Sequence, residues 1–165
     1  MKLKDIRKIF FIDIALIILI FLLDRISKVI IINLDKNQYS DHIFSSKFLN
    51  IHLVWNEGIA FGLFSVNETA HYNILTFIII LVIFFVFYMV TKSNGFERVS
   101  LLIIFSGAIG NLFDRIIYKA VPDFLDLHVD NFHWFIFNVA DIFITIGVIF
   151  MIIHEFTYKN KKKEI

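Results

Sequence analysis

Gly107-Ala108-Ile109-Gly110-Asn111-Leu112-Phe113-Asp114-Arg115 breaks an apolar run with amides and acids, and Asp123 follows eight residues on. A second break, Phe137-Asn138-Val139-Ala140-Asp141, opens the last apolar stretch. At helical spacing Gly107, Gly110, Asn111 and Asp114 fall at i, i+3, i+4 and i+7, on one face. Small residues there permit close helix approach, and Ser106 with Gly110 adds a second small pair. Asn138, Asp141 and Thr145 share a face of the following helix in the same way. Ionisable groups in or beside membrane spans are costly to keep there, so these faces read as functional sites with partners.

The surroundings are those of a membrane protein. Of 165 residues, 58% are hydrophobic, 21 are Phe and one is Pro. The mean hydropathy is +0.76. Long apolar runs with so few breakers predict a membrane all-α fold, with residues 1–165 as a single domain of four transmembrane helices. The expected spans are about 9–32, 74–90, 99–117 and 137–153. The basic start followed by an apolar run has the look of a secretory signal. No small-residue cleavage site follows it, so an uncleaved first span is expected. Cysteine is absent, which excludes disulfides, thiolate metal sites and a Cys nucleophile.

Lys and Arg fix the expected orientation. Lys2, Lys4, Arg7 and Lys8 precede the first span, Lys92 and Arg98 sit between the second and third, and the tail about 157–165 is Lys-rich. An even number of spans puts these three flanks on one side, the cytoplasmic one, with both termini. Outer loops about 33–73 and 118–136 then face outward. The first has strand alternation from Phe48 to Trp55, a turn at Glu57-Gly58 and a candidate returning strand at Ile59–Gly62. Ser65 and Glu68 fit a capping box for a short outer helix. The second has Asp130-Asn131 between two hairpin arms. Together they predict a small extracytoplasmic β platform with aromatic edges.

On this topology Asp24, Asp114, Asp123 and Asp141 converge at one depth, near the outer interface. Two such carboxylates, Asp123 and Asp141, would suit activation of water for peptide hydrolysis. One keeps a proton while the other acts as base, and the pair titrates as a unit. Asn111 and Asn138 could hold the geometry. Lys28 follows Asp24 by four residues, a favourable ion-pair spacing. Other schemes are weaker. His154-Glu155 lacks the second His of a zinc-protease helix, and His52, His71, His128 and His133 are scattered, so no metal and no cofactor are expected. Ser27 and Lys28 are adjacent and point to different helix faces.

At these residues the chain resembles bacterial signal peptidase II, the lipoprotein signal peptidase. The matching segments are Leu23–Lys28, Trp55–Phe61, Gly107–Arg115, Pro122–Phe124 and Phe137–Asp141, in family order over nearly the whole chain. The resemblance implies a four-span aspartic endopeptidase of the bacterial cell membrane, active at its outer face. It would remove signal peptides from diacylglyceryl-modified prolipoproteins, cutting before the lipidated Cys. Asp123 and Asp141 would be the catalytic pair. Asp24, Asn56, Gly110, Asn111, Asp114, Arg115, Asn138 and Ala140 would support the site or bind substrate and the inhibitor globomycin. Trp55 and Phe61 are expected to contact substrate or lipid. Membrane lipid is a further partner, nucleic acid is not, and a monomer is expected. Three positions depart from the family pattern: Arg25 where Gln is frequent, Pro122 where an aliphatic residue is expected, and Ile142 where a small polar residue is commoner.

Two readings from other classes compete. A proton-coupled transporter would place its acids near the bilayer midplane, whereas Ile78–Val86 and Phe143–Ile152 hold none. A non-enzymatic adaptor would leave the buried acids unexplained.

Overall fold

The computed structural model describes residues 3–37, 42–58 and 68–163. Among these residues four helices and four strands run in the order α1 (Leu3–Lys36), β1 (Phe44–Ser45), β2 (Leu49–Asn56), α2 (Glu68–Lys92), α3 (Gly95–Tyr118), β3 (Val121–Val129), β4 (Phe132–Phe137) and α4 (Val139–Lys163). The strands form one antiparallel sheet in the order β1-β2-β3-β4. The candidate returning strand at 59–62 and the cap at Ser65 lie outside the described residues, as does Phe61.

Among the described residues, three helical segments are long and apolar enough to cross a membrane: Tyr72–Lys92, Gly95–Tyr118 and Val139–Thr157. Their surroundings differ. The apolar window of α3 is 56% buried, against 11% for those of α2 and α4, so α3 is the helix the others surround. The exposed faces carry Phe77, Phe84 and Phe85 on α2, and Ile149 and Ile152 on α4, which is what a lipid-facing surface requires. Helix α1 is 34 residues long, and its apolar course is broken by the charged turn Asp24–Lys28.

Glycines set the approach of α4 to α3. A Cβ on Gly107 would lie 2.6 Å from the Ala140 carbonyl oxygen, and one on Gly147 would lie 2.8 Å from the Ser100 carbonyl oxygen. The two backbones therefore meet where only hydrogen fits. At the end remote from the sheet, Ser93 and Asn94 join α2 to α3, whose first residue, Gly95, has φ 58°. Arg98 closes that end. Its Nη1 donates to the Val90 carbonyl at 3.0 Å, its Nε donates to Asp13 Oδ2 at 3.0 Å, and Nη2 also pairs with Asp13.

The sheet lies at the opposite end. Sequence alternation placed a strand at Phe48–Trp55; β2 runs Leu49–Asn56, and its pairing with β3 shifts register between Ile51 and Val54. That irregularity breaks simple alternation beyond Ile51. Asp130, at φ 51°, makes the turn of the β3–β4 hairpin, as its composition predicted. Two boundaries differ from the sequence reading. Residue 123 is in a strand, because β3 begins at Val121 almost directly after α3. Residues 137 and 138 precede α4, because β4 runs through Phe137 and Asn138 caps the helix instead of joining it.

The α3–α4 contact gives a direct test. Gly107→Ala is expected to lower stability by roughly 1–3 kcal/mol through overpacking against a backbone oxygen that cannot move alone. Thermal unfolding in detergent reads this as a lower Tm; an unchanged Tm would show that the two helices have room to spare.

Candidate active site

Helix α4 starts at a reciprocal cap. Asp141 N donates to Asn138 Oδ1 at 3.1 Å, and Asn138 N donates to Asp141 Oδ2 at 3.0 Å. This is the capping-box geometry, with an acid at the third helical position. It fixes the Asp141 side chain to the helix start. The other Asp141 oxygen, Oδ1, accepts from Asn111 Nδ2 at 2.8 Å, which ties it to α3.

Asp123 is held from two other directions. Its Oδ1 accepts from Asn138 Nδ2 at 2.6 Å and its Oδ2 from Asn56 Nδ2 at 2.8 Å. Asn56 is itself oriented, because its Oδ1 accepts from Gly58 N at 2.7 Å. Gly58 sits at φ 77°, a conformation that favours glycine. Each carboxylate thus has both oxygens occupied by N–H donors, and Asn138 bonds to both acids.

Behind the pair is a buried ionic cluster. Lys28 Nζ lies 2.8 Å from Asp24 Oδ2 and 2.6 Å from Asp114 Oδ2, and it donates to Asn111 Oδ1 at 3.0 Å. The Lys28 side chain is fully shut off from solvent. Arg25 pairs with the other oxygen of Asp114, its guanidinium lying 5.4 Å from the Phe113 ring centroid and 5.6 Å from that of Tyr118. Asp24 Oδ1 accepts from Ala140 N at 2.9 Å, so this acid also sits at the N-terminus of α4, where free N–H groups and the helix dipole favour negative charge. Gly110 makes room for it, since a Cβ there would lie 2.7 Å from Asp24 Oδ2. Ala140 is fully buried against the same spot.

The four acids expected to converge therefore divide into two groups. Asp24 and Asp114 neutralise Lys28 and Arg25, while Asp123 and Asp141 are held by amides. Arg115 bonds to backbone instead: its Nη1 donates to Asn111 O at 3.3 Å, and its own carbonyl accepts from Tyr72 Oη at 2.8 Å. Trp55 is exposed beside Tyr118, ring centroids 5.4 Å apart. Lys28 had been read only as a partner of Asp24. Its bonds to Asn111 and Asp114 depend on α1 meeting α3, which spacing within α1 cannot reveal. The cap role of Asn138 was legible in the Asn138-x-x-Asp141 pattern.

Two openings reach the acids from different sides. An apolar groove of about 580 Å³ runs past Phe48, Trp134, Phe135, Ile142 and Thr145 to Asp141. A polar hollow of about 400 Å³ is lined by Val54, Trp55, Asn56, Glu57, Asp123 and Ile136. The groove reaches Asp141 and the hollow reaches Asp123.

Burial pushes the Asp123 carboxyl up to about 6; the Asn56 and Asn138 hydrogen bonds work against that rise, and the charge of Asp141 adds to it. A carboxyl whose folded pKa is raised holds its proton better folded than unfolded. Its ionisation therefore costs stability as pH climbs from about 4 to about 6, by at most roughly 3 kcal/mol. Wild-type Tm is expected to fall across that window relative to Asp123→Asn, which has no proton to lose. Parallel pH profiles for the two proteins would contradict the assignment.

Buried ionic support, amide-held acids and three apolar helices define a multi-pass membrane protein with a diacid centre. Residues 16–157 match the signal peptidase (SPase) II family, and the chain belongs to it. It is similar to the lipoprotein signal peptidase of Pelagibacter ubique, 46% identical over 94% of this chain and 93% of the relative. The lipoprotein signal peptidase of Aquifex aeolicus is 33% identical over 96% and 94% of the two chains. A bacterial membrane enzyme solved in meso at 2.3 Å resolution superposes with a TM-score of 0.74, at 30% identity over 93% of this chain and 92% of that one.

Proposed function

We propose that this protein is a membrane aspartic endopeptidase that removes signal peptides from diacylglyceryl-modified prolipoproteins, cutting before the lipidated Cys. The observation that carries the reading is the sharing of Asn138 between two carboxylates, each reachable from an open side. Membership of the family and the names of the relatives supply the substrate class.

The geometry supports a division of labour. Asp123, whose pKa is raised to about 6, is the partner suited to hold the pair's proton. Asp141 is suited to take a proton from water. The water oxygen attacks the scissile carbonyl carbon, and the resulting tetrahedral oxyanion accepts a hydrogen bond from protonated Asp123. Collapse breaks the C–N bond as a proton passes to the leaving nitrogen, giving a free carboxyl end and a free amine. Amides suit this role, because they donate to the carboxylates without bringing a positive charge that would hold both acids ionised. The positive charge stays one layer back, at Lys28 and Arg25.

The apolar groove suits the hydrophobic part of the substrate or its diacylglyceryl chains, and the polar hollow at Trp55 suits the peptide beyond the cleavage point. In this reading α1 is the fourth span. Its charged turn is compatible with a membrane because Lys28 is matched by Asp24 and Asp114, and Arg25 by Asp114. Four spans put both termini and the Asp13–Arg98 pair on the cytoplasmic side and the sheet outside. The exposed Phe132, Trp134 and Phe135 then form an interfacial aromatic rim. The protein acts as one membrane domain and a monomer, and globomycin occupies the same site.

Asp123→Asn and Asp141→Asn are each expected to reduce cleavage of a lipidated prolipoprotein in detergent by at least about 10²-fold while the protein stays folded. Turnover near wild type in either variant would sink the paired-acid reading. Trp55→Ala is expected to raise KM with kcat little changed. A fall confined to kcat would instead place Trp55 in the chemical step.

A further inference from the structure

The β3–β4 hairpin brings together three side chains that the peptidase chemistry leaves unused. His128 and His133 are cross-strand partners, their rings stacked 5.1 Å apart at 19°. Asp126, two residues before His128, is buried, and His133 Nδ1 lies 2.9 and 3.0 Å from its two carboxylate oxygens. One donor atom from each of the three lies within 4.8 Å of the others. The His–Asp contact alone would be a simple ion pair. It leaves one fact unexplained: His128 Nδ1 is shut off from solvent with no hydrogen-bond partner among the described residues. An imidazole nitrogen left so is expensive, and a bound cation would satisfy it.

We infer that Asp126, His128 and His133 form a binding site for a zinc-type divalent transition cation on the outer hairpin. Two imidazoles and one carboxylate are the donor set such ions take, with water completing a tetrahedron. Calcium and magnesium would call for more oxygen donors. Bond lengths of about 2.0–2.2 Å require the three donors to draw closer together. The His133 side chain can make that movement, being 52% exposed, while Asp126 is 3% exposed and fixed. Asn50 Nδ2, 3.5 Å from Asp126 Oδ2, supports the carboxylate from β2. The ion would pin β4, with Trp134 and Phe135, against β3, and His128 lies on the wall of the apolar groove. The site is separate from Asp123 and Asp141, whose oxygens are already engaged by amides.

The test is calorimetric titration of the full chain, purified in detergent without a polyhistidine tag and stripped with a chelator, using zinc chloride. Wild type is expected to bind one equivalent and to change its tryptophan fluorescence at the same stoichiometry. His133→Ala and His128→Ala are each expected to weaken binding by roughly tenfold or more. The double variant should lose both signals. Because His133 lines neither opening, zinc-free His133→Ala should still cleave substrate, with a lower unfolding temperature because buried Asp126 loses its partner. Absence of saturable zinc binding in wild type would overturn the site. So would an unchanged isotherm in the double variant, which would move the ion elsewhere, for instance to the His42–His52 pair, whose rings lie 5.1 Å apart. Should an alanine variant misfold, His133→Gln at the half-exposed position carries the same expectation.

Discussion

The site depends on the side chain of Asn138. Its carbonyl oxygen caps α4 and so sets where that helix begins. Its amide nitrogen donates to Asp123 and, at 3.1 Å, to Asn111 Oδ1. One residue therefore ties the sheet, α3 and α4 together at the point where the two acids meet. It is fully buried, so each lost bond would leave a polar group without water to replace the partner. Both acids owe their positions to it, Asp123 through Nδ2 and Asp141 through the backbone N–H and the cap. A cap that stabilises a helix start and a bracket that spaces two carboxylates are the same set of hydrogen bonds.

The layer behind this bracket explains how so much charge is kept among apolar helices. Lys28 and Arg25 bring two positive charges, and Asp24 and Asp114 bring two negative ones, all within direct contact. Burying charges is tolerable where each has partners, and here the start of α4 supplies a further one to Asp24. Asn111 links the layers. Its oxygen faces Lys28 and its nitrogen faces Asp141. Lys28 thus polarises the amide that holds Asp141 without touching that acid. Tight passage of α3 past α4 makes the stacking of layers feasible, and Gly107 and Gly147 are where a side chain would prevent it, while Gly110 leaves room for Asp24 of α1.

The helices and the polar faces of α3 and α4 were legible because period and composition are local properties. The family was legible because its short segments keep their order along the chain. What escaped were facts that need two elements at once. The irregular pairing of β2 with β3 comes from the partner strand, and the strand position of Asp123 comes from the short link after α3. The departures from the family pattern also become physical. Arg25 is seated on Asp114 between two rings. Pro122 lies opposite Trp55, ahead of the first β4 partner at Leu125, where the ladder is one-sided and a missing N–H matters less. Ile142 turns its apolar side chain to the groove beside Asp141. The histidines looked scattered because only the hairpin register aligns His128 with His133.

The central claim is that Asp123 and Asp141 act on one oxygen atom. The most direct measurement is a crystal structure with a lipidated peptide whose scissile carbonyl is replaced by a tetrahedral alcohol. The account predicts that this hydroxyl lies within about 2.6–3.2 Å of a carboxylate oxygen from each acid, with Asn138 still bonded to both. A hydroxyl reached by only one acid, or a peptide bound away from the pair, would contradict it.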